Sequence, residues 1–273
     1  MKILISADME GITGVVHWDQ VDPGHAEYPR FRRLMTGDVN AAIRGAFEAG
    51  AKEVLVTDGH AYGRNILIEE LDPRAHLNSS SISPLSMVQG IDSGVDGVIF
   101  VGYHARIGTQ NAILEHTWSD ERVYNLYLNG DLFGEIGLNA GISGHFGAPV
   151  IMISGDRAAC TEAAALLGEV ETAVVKVASG RMAAECLPPA VAQEKIQIAA
   201  RKAVTRLNKG QAPKPLHISP PITMIIDFVQ SEMADRAALL PGASRNGRHL
   251  VYTAEEMVTI YRAFRTALAL ARG

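Results

Sequence analysis

The chain lacks the features that mark several common classes of protein. Only two of its 273 residues are cysteines, Cys160 and Cys186, too few and too far apart for a disulfide framework or a thiolate metal site. We expect both to be small, buried apolar residues. No apolar run approaches the length that spans a bilayer, and the amino-terminal segment turns acidic at Asp8 before a signal-peptide core reaches its usual length. The sequence therefore predicts a soluble, cytoplasmic protein with no membrane partner.

Clusters of basic residues are also missing. The formal net charge is -5, and no run of Lys or Arg has the pattern that follows a phosphate backbone. We therefore expect no nucleic-acid partner. What the chain does have is 47% hydrophobic residues against 20% charged ones, enough at this length to build a substantial core.

Short apolar segments alternate with longer helical patterns along most of the chain. This alternation predicts an α/β fold, with a mainly parallel open sheet and helices on both of its faces. The predicted strands are 3–7, 53–57, 97–102, 123–128, 149–153, 172–177 and 222–228, and the predicted helices are 39–49, 135–145, 158–167, 189–207 and 254–271. The dipeptide Asn129-Gly130 favours a tight hairpin after its strand.

The order of elements changes in the last third of the chain. We predict a larger α/β domain over residues 1–168, which carries all the candidate functional residues, and a smaller α+β domain over 169–273. A Pro-rich stretch at 212–221 is an alternative boundary, because such stretches often mark the breaks between domains.

The strongest local feature is a pair of acidic residues at the end of the first strand. Asp8 and Glu10 are two positions apart, so in extended backbone their carboxylates point to the same side. Two like charges held together are costly unless a positive group lies between them. A divalent cation would meet that need; the alternative is a solvated loop in which both carboxylates face water.

Two histidines favour the cation. His60 follows the second predicted strand and His104 follows a later one, and open α/β sheets bind ligands beyond the carboxyl ends of their strands. Carboxylates and imidazoles together form a mixed oxygen and nitrogen donor set, which suits Zn²⁺ and also accepts Mn²⁺ or Co²⁺.

Glu135, at a predicted helix start, is a fifth candidate ligand. An acidic residue there is also favoured by the helix dipole. As a ligand it balances the charges, since two divalent ions bring +4, three carboxylates bring -3 and a bound hydroxide supplies the rest. Such a hydroxide is the nucleophile of two-metal hydrolases.

These residues lie in segments that resemble the D-aminopeptidases of the DppA type, and the resemblance runs nearly end to end. The segments that carry it are Ser6-Ala7-Asp8-Met9-Glu10-Gly11, the segment around His60, residues 84–90, Gly102-Tyr103-His104-Ala105-Arg106 and Gly134-Glu135-Ile136-Gly137-Leu138-Asn139-Ala140.

The resemblance implies a zinc-dependent aminopeptidase that removes the amino-terminal residue, a D-amino acid, from short peptides. It implies two Zn²⁺ per subunit, with Asp8 bridging the ions and Glu10, His60, His104 and Glu135 completing their coordination. The family's catalytic histidine maps onto His116, for which we favour a general acid/base role or stabilisation of the tetrahedral intermediate. The resemblance further implies a homo-oligomer, a two-layered decamer whose active sites face an interior chamber.

Two other functions use the same residues. A dinuclear-metal phosphoesterase activates water with similar ligands but needs basic residues near the metals, and Arg106 is the candidate. A non-catalytic metal- or peptide-binding protein would keep the ligands without turnover. We expect the aminopeptidase. Arg106 is the one basic candidate that a phosphoesterase would need, and the five filled ligand positions argue against a protein that lost turnover.

Overall fold

A computed structural model describes residues 1–80 and 82–272 of the chain. The strands in this part are β1 (Lys2–Ala7), β2 (Glu53–Asp58), β3 (Ala75–Asn78), β4 (Gly97–Tyr103), β5 (Val123–Leu128), β6 (Asp131–Phe133), β7 (Val150–Asp156), β8 (Glu171–Gly180), β9 (Ala183–Cys186), β10 (Ile222–Phe228), β11 (Ser244–Asn246) and β12 (His249–Ala254). The α-helices are α1 (Tyr28–Glu48), α2 (Glu135–His145), α3 (Arg157–Leu167), α4 (Pro189–Asn208), α5 (Ser231–Ala237) and α6 (Met257–Leu270).

A seven-stranded sheet forms the centre of the fold, in the order β3-β2-β1-β4-β7-β8-β9. Its strands pair in parallel except for the antiparallel pair β8 and β9. On β1, Ile3 and Ile5 pack in the core cluster that includes α1 and α4, whereas Leu4 packs in the cluster on the opposite face. Both faces are covered, so strands such as β1 are apolar almost throughout. The predicted α/β class, with helices on both faces, is confirmed.

A second, antiparallel sheet has the order β11-β12-β10-β5-β6. The predicted hairpin joins β5 to β6, and Asn129 and Gly130 both have positive φ, at 52° and 90°, as in the tight turns that fit twisted hairpins. This sheet combines β5 and β6 with strands from the end of the chain. Helices α5 and α6 pack against it.

Strand pairing crosses the predicted domain boundary at residue 168. β8 follows that boundary, yet it pairs in parallel with β7 and so belongs to the large sheet. The division into two domains stays a prediction.

Two helices differ from their predicted extents. The predicted helix 39–49 is the second half of α1, which begins at Tyr28 with Pro29 in its first turn, a position that suits proline. The predicted helix 254–271 begins only at Met257, because residues up to Ala254 form β12 and pair with β10. Cys160 is buried as expected, whereas Cys186 is half-buried. Over residues 1–80 and 82–272, none of the helices is long and apolar enough to cross a membrane.

Candidate metal centre

The five residues predicted as metal ligands lie together at one edge of the seven-stranded sheet. Asp8 and Glu10 follow β1, His60 follows β2, His104 follows β4, and Glu135 is the first residue of α2. Because the strands are parallel, their carboxyl ends meet at this edge. All five side chains are buried, with 2% to 9% of each residue exposed. Residues more than a hundred positions apart therefore form one cluster.

Carboxylate oxygens and imidazole nitrogens approach one another closely in this cluster. Nδ1 of His60 lies 3.1 Å from Oε2 of Glu10 and 3.5 Å from Oδ1 of Asp8. Nε2 of His104 lies 3.4 Å from Oδ2 of Asp8 and 3.1 Å from Oε1 of Glu135. Asp8 thus lies between the two imidazoles, with Glu10 on one side and Glu135 on the other.

Each of these imidazoles is oriented by a backbone carbonyl behind it. Nε2 of His60 lies 2.9 Å from the carbonyl oxygen of Val21, and Nδ1 of His104 lies 3.0 Å from that of Ala105. A carbonyl only accepts, so each of these nitrogens donates its proton. The other nitrogen of each ring then faces the carboxylates. Histidines that bind metals usually have this arrangement.

The buried charges shift one another's pKa values. Burial opposes ionisation of Asp8, but the adjacent imidazoles of His104 and His60 outweigh burial and hold its pKa well below the usual range. Burial also opposes charging of the imidazoles, yet the carboxylates of Glu10 and Asp8 raise the pKa of His60, and those of Glu135 and Asp8 raise the pKa of His104. Without a metal ion, protons supply the positive charge that this cluster needs.

The donor atoms also fit divalent ions. Among the described residues, Oδ2 of Asp8 and Nε2 of His104 are buried without a hydrogen-bond partner. Two groups have one donor atom per residue with all atoms within 4.8 Å of one another: Asp8, Glu10 and His104, and His104, His116 and Glu135. Mixed carboxylate and imidazole donors suit zinc. The residues present therefore fit the metal ions that the sequence predicts.

His116 lies at the same cluster. Its ring stacks on that of His104 with the centroids 4.0 Å apart, and its Nε2 lies 3.7 Å from Oε1 of Glu135. Its Nδ1 lies 2.8 Å from the carbonyl oxygen of Leu114 and donates to it, which leaves Nε2 free for chemistry. Trp18 contacts the ring edge-on, with the centroids 5.3 Å apart. His116 is thus placed either to move a proton or to bind a metal.

Lys176 on β8 supports the segment that carries Glu10, and the sequence analysis missed it. Its ammonium group is buried and donates hydrogen bonds of 2.5, 2.9 and 2.6 Å to the carbonyl oxygens of Glu10, Ile12 and Val15. Burial lowers the pKa of Lys176 to about 8, so the group keeps its proton at neutral pH. One lysine inside the apolar run of residues 172–177 was the signal that could have revealed it.

The cluster opens into a cavity of about 560 Å³. Its lining includes four of the predicted ligands, His116, the aromatic side chains of Trp18 and Trp118, and the arginines 122, 265 and 272. The sequence analysis singled out none of these arginines. Arg106, on which the phosphoesterase alternative depended, lines a separate cavity beside Gly134.

A buried set of carboxylates and imidazoles at the carboxyl ends of parallel strands, open to a small cavity, defines a metal-dependent hydrolase. Comparison with known proteins agrees. Residues 1–266 match the family model described as D-aminopeptidase. A D-aminopeptidase of Bacillus subtilis (strain 168) is 37% identical over 273 residues, which cover 99% of this chain and 98% of that protein. The chain belongs to the D-aminopeptidase family.

A solved structure extends the likeness to three dimensions. The Zn-dependent D-aminopeptidase DppA from Bacillus subtilis, described as a self-compartmentalizing protease, matches with a TM-score of 0.95 and 36% identity. The match covers 99% of this chain and 98% of that one. Together these findings favour an aminopeptidase over both a phosphoesterase and a non-catalytic binding protein.

Proposed function

We propose that the protein is a zinc-dependent D-aminopeptidase that removes the amino-terminal residue from short peptides. The observation that carries the proposal is the convergence of three buried carboxylates and two imidazoles, each imidazole held from behind by a backbone carbonyl. Three negatively charged carboxylates buried together are costly unless cations bind among them. The family membership supplies the reaction.

We assign Asp8, Glu10, His60, His104 and Glu135 as the ligands of two Zn²⁺ ions. The two carboxylate oxygens of Asp8 support a bridging role, because they face different imidazoles. Oδ1 lies 3.5 Å from Nδ1 of His60, and Oδ2 lies 3.4 Å from Nε2 of His104. Mn²⁺ or Co²⁺ would be accepted by the same donors. When bound, such ions lower the pKa of water and polarise a carbonyl group.

His116 is assigned as the residue that moves a proton during the reaction. Its Nδ1 is committed to the carbonyl of Leu114, and the ring lines the cavity where a substrate would lie. Nε2 is then the atom that accepts or donates a proton at the scissile amide. The packing of Trp18 against the ring holds it in place.

The cavity limits what can enter. A volume of about 560 Å³ is typical of sites for small molecules, which range over about 300–1,000 Å³. A short peptide fits a cavity of this size, whereas a folded protein does not.

The test pairs peptides that differ only in the configuration of the first residue. Metal-loaded protein is incubated with D-alanyl-glycyl-glycine or L-alanyl-glycyl-glycine, and free alanine is measured, with a chelator-treated sample as the control. We expect release from the D-peptide only, and none after chelation. Equal release from both peptides would refute the stereospecificity, and release that survives complete removal of metal would refute the metal dependence.

We further propose a homo-oligomer, a decamer that encloses its active sites, in the cytoplasm. The support for assembly is the likeness to a self-compartmentalizing protease across the whole chain. Sedimentation velocity of the native protein should give a mass ten times that of the chain; a monomer or dimer would refute it. Cell fractionation with an antibody against the protein tests the location.

A further inference from the structure

Arginine side chains line the same cavity as the metal cluster. Arg122 follows the loop that carries His116, and Arg272 follows α6. Arg265, on α6 itself, also lines the cavity and donates hydrogen bonds to the carbonyl oxygens of Ser83 and Pro84. The cavity lining therefore includes guanidinium groups as well as the carboxylates of the cluster and of Asp120.

Arg122 has no ionic partner in the described part of the chain. Residues 1–80 and 82–272 place no carboxylate oxygen within 4.0 Å of its guanidinium nitrogens, and its buried Nε has no hydrogen-bond partner. Partial burial and the charge of Arg272 lower the pKa of Arg122, although the charges of Glu121 and Asp120 oppose this shift. Two like charges thus repel each other at the cavity, where a bound anion would relieve both.

A free peptide brings an anion of the right kind. It has an ammonium group at one end and a carboxylate at the other, and the carboxylate is the end that positively charged guanidinium groups attract. Within a cavity of this size, the carboxyl end of a short peptide must lie close to the site of cleavage. Arginine binds carboxylates with paired hydrogen bonds, more strongly than neutral donors do.

We propose that Arg122 and Arg272 bind the free α-carboxylate of the peptide substrate, and so select peptides of two or three residues with an unblocked carboxyl end. The proposal rests on the aminopeptidase function given above and adds its substrate class. The carboxyl end of the substrate is then recognised by the positive charge of these side chains. Peptides that end in an amide lose this recognition.

The test compares D-alanyl-glycine with D-alanyl-glycinamide, which has the same shape and no carboxylate. Steady-state rates are measured for the metal-loaded wild type, Arg122→Met, Arg272→Met and the double variant. Arg262→Met is the matched control, since Arg262 is an exposed residue of α6 that does not line the cavity. Because Arg272 is also exposed, its variant should fold normally even if Arg122→Met does not.

We expect the wild type to prefer the free acid over the amide by about tenfold or more in kcat/KM, because hydrogen bonds between a guanidinium group and a carboxylate are stronger than those to a neutral amide. Each cavity variant should raise KM for the acid and leave the amide nearly unchanged, and Arg262→Met should alter neither. If the wild type cleaves both substrates equally well, or if the variants slow both equally, the proposal is overturned while the aminopeptidase function stands. If the wild type cleaves neither, both proposals fail.

Two further measurements separate other uses of these arginines. Inorganic phosphate is added as a competitor, because a guanidinium pair also suits phosphate. Inhibition that is lost in the variants, without any preference for the free acid, would assign the arginines to phosphate and overturn the proposal. Sedimentation of each variant should give the wild-type mass. A lower mass, with equal loss of activity on the acid and the amide, would assign the arginines to a contact between copies of the chain and overturn the proposal.

Discussion

Replacing Lys176 with methionine tests whether one buried ammonium group holds the segment that carries Glu10. The lysine donates to three carbonyl oxygens. Of these, only that of Ile12 has another backbone donor, the amide of Val15, in the described part of the chain. Methionine fills similar space but donates no hydrogen bond, so the carbonyls of Glu10 and Val15 lose their partner.

The size of the effect follows from these two carbonyls. A buried acceptor left without a partner costs about 1–3 kcal/mol, so the pair costs about 2–6 kcal/mol. Burying methionine in place of a charge offsets part of this loss. We expect the free energy of unfolding to fall by about 2–4 kcal/mol. Because the segment carries Glu10, zinc affinity should fall by about 10- to 100-fold, as it does when groups behind metal ligands are removed.

The assay is urea unfolding of the metal-free protein, followed by competition for zinc with a fluorescent chelator. Lys202→Met is the control, since Lys202 is mostly exposed and paired with Glu171, and surface pairs contribute about 0–1 kcal/mol. If Lys176→Met costs no more than Lys202→Met, the ammonium group does not support the segment. If Lys176→Met is destabilised but binds zinc as tightly as the wild type, Lys176 contributes to stability and not to the metal site.

Three further changes probe the cluster. Gly11→Ala would place a Cβ only 2.0 Å from the carbonyl oxygen of Tyr103. We therefore expect the free energy of unfolding to fall by about 1–3 kcal/mol and zinc to bind more weakly. A fully stable variant would contradict the close packing of these two segments. The carboxylates raise the pKa values of His60 and His104 in the metal-free protein, so zinc must displace protons from them, and its affinity should rise with pH until these histidines are deprotonated. Calorimetry in buffers of different ionisation enthalpy measures this proton release, and a release of zero would count against it. His116→Ala should keep the wild-type zinc content and lose about 10²- to 10⁴-fold in kcat, the range for general acid/base groups; a fall in zinc content would instead make His116 a ligand.

The sequence predicted the centre of this molecule well because burial leaves a clear pattern. Strand β1 is apolar almost throughout because both of its faces are covered, and its last residues lead directly to Asp8. In parallel strands, a polar residue just after an apolar run points to the binding edge of the sheet. His60 and His104 follow the same logic, and the structure places both beside Asp8.

Elements with little burial were harder to predict. Strand β11 is exposed at all three of its residues, and β12 alternates too weakly to stand out from the helix that follows it. Only pairing with β10 makes residues 249–254 a strand, and such long-range pairing has no local signal. The first half of α1 was missed because Gly37 interrupts its helical pattern, although tertiary packing keeps the helix continuous.

The roles of the cavity arginines and of Lys176 could not be predicted from the sequence for a different reason. Arg122 and Arg272 lie 150 residues apart and come together only through the packing of α6 near the loop before β5. Lys176 contacts residues more than 160 positions away. The sequence shows each of these residues as an isolated charge, and only the fold shows what surrounds it.

The most direct measurement is anomalous X-ray scattering from crystals of the zinc-loaded protein, recorded on both sides of the zinc absorption edge. It shows whether ions bind where the carboxylates and imidazoles meet. Two peaks per chain are expected, both in contact with Asp8 and divided between the side of Glu10 and His60 and the side of His104 and Glu135. A chain with no peak among these residues, or with zinc bound only elsewhere, would contradict the account.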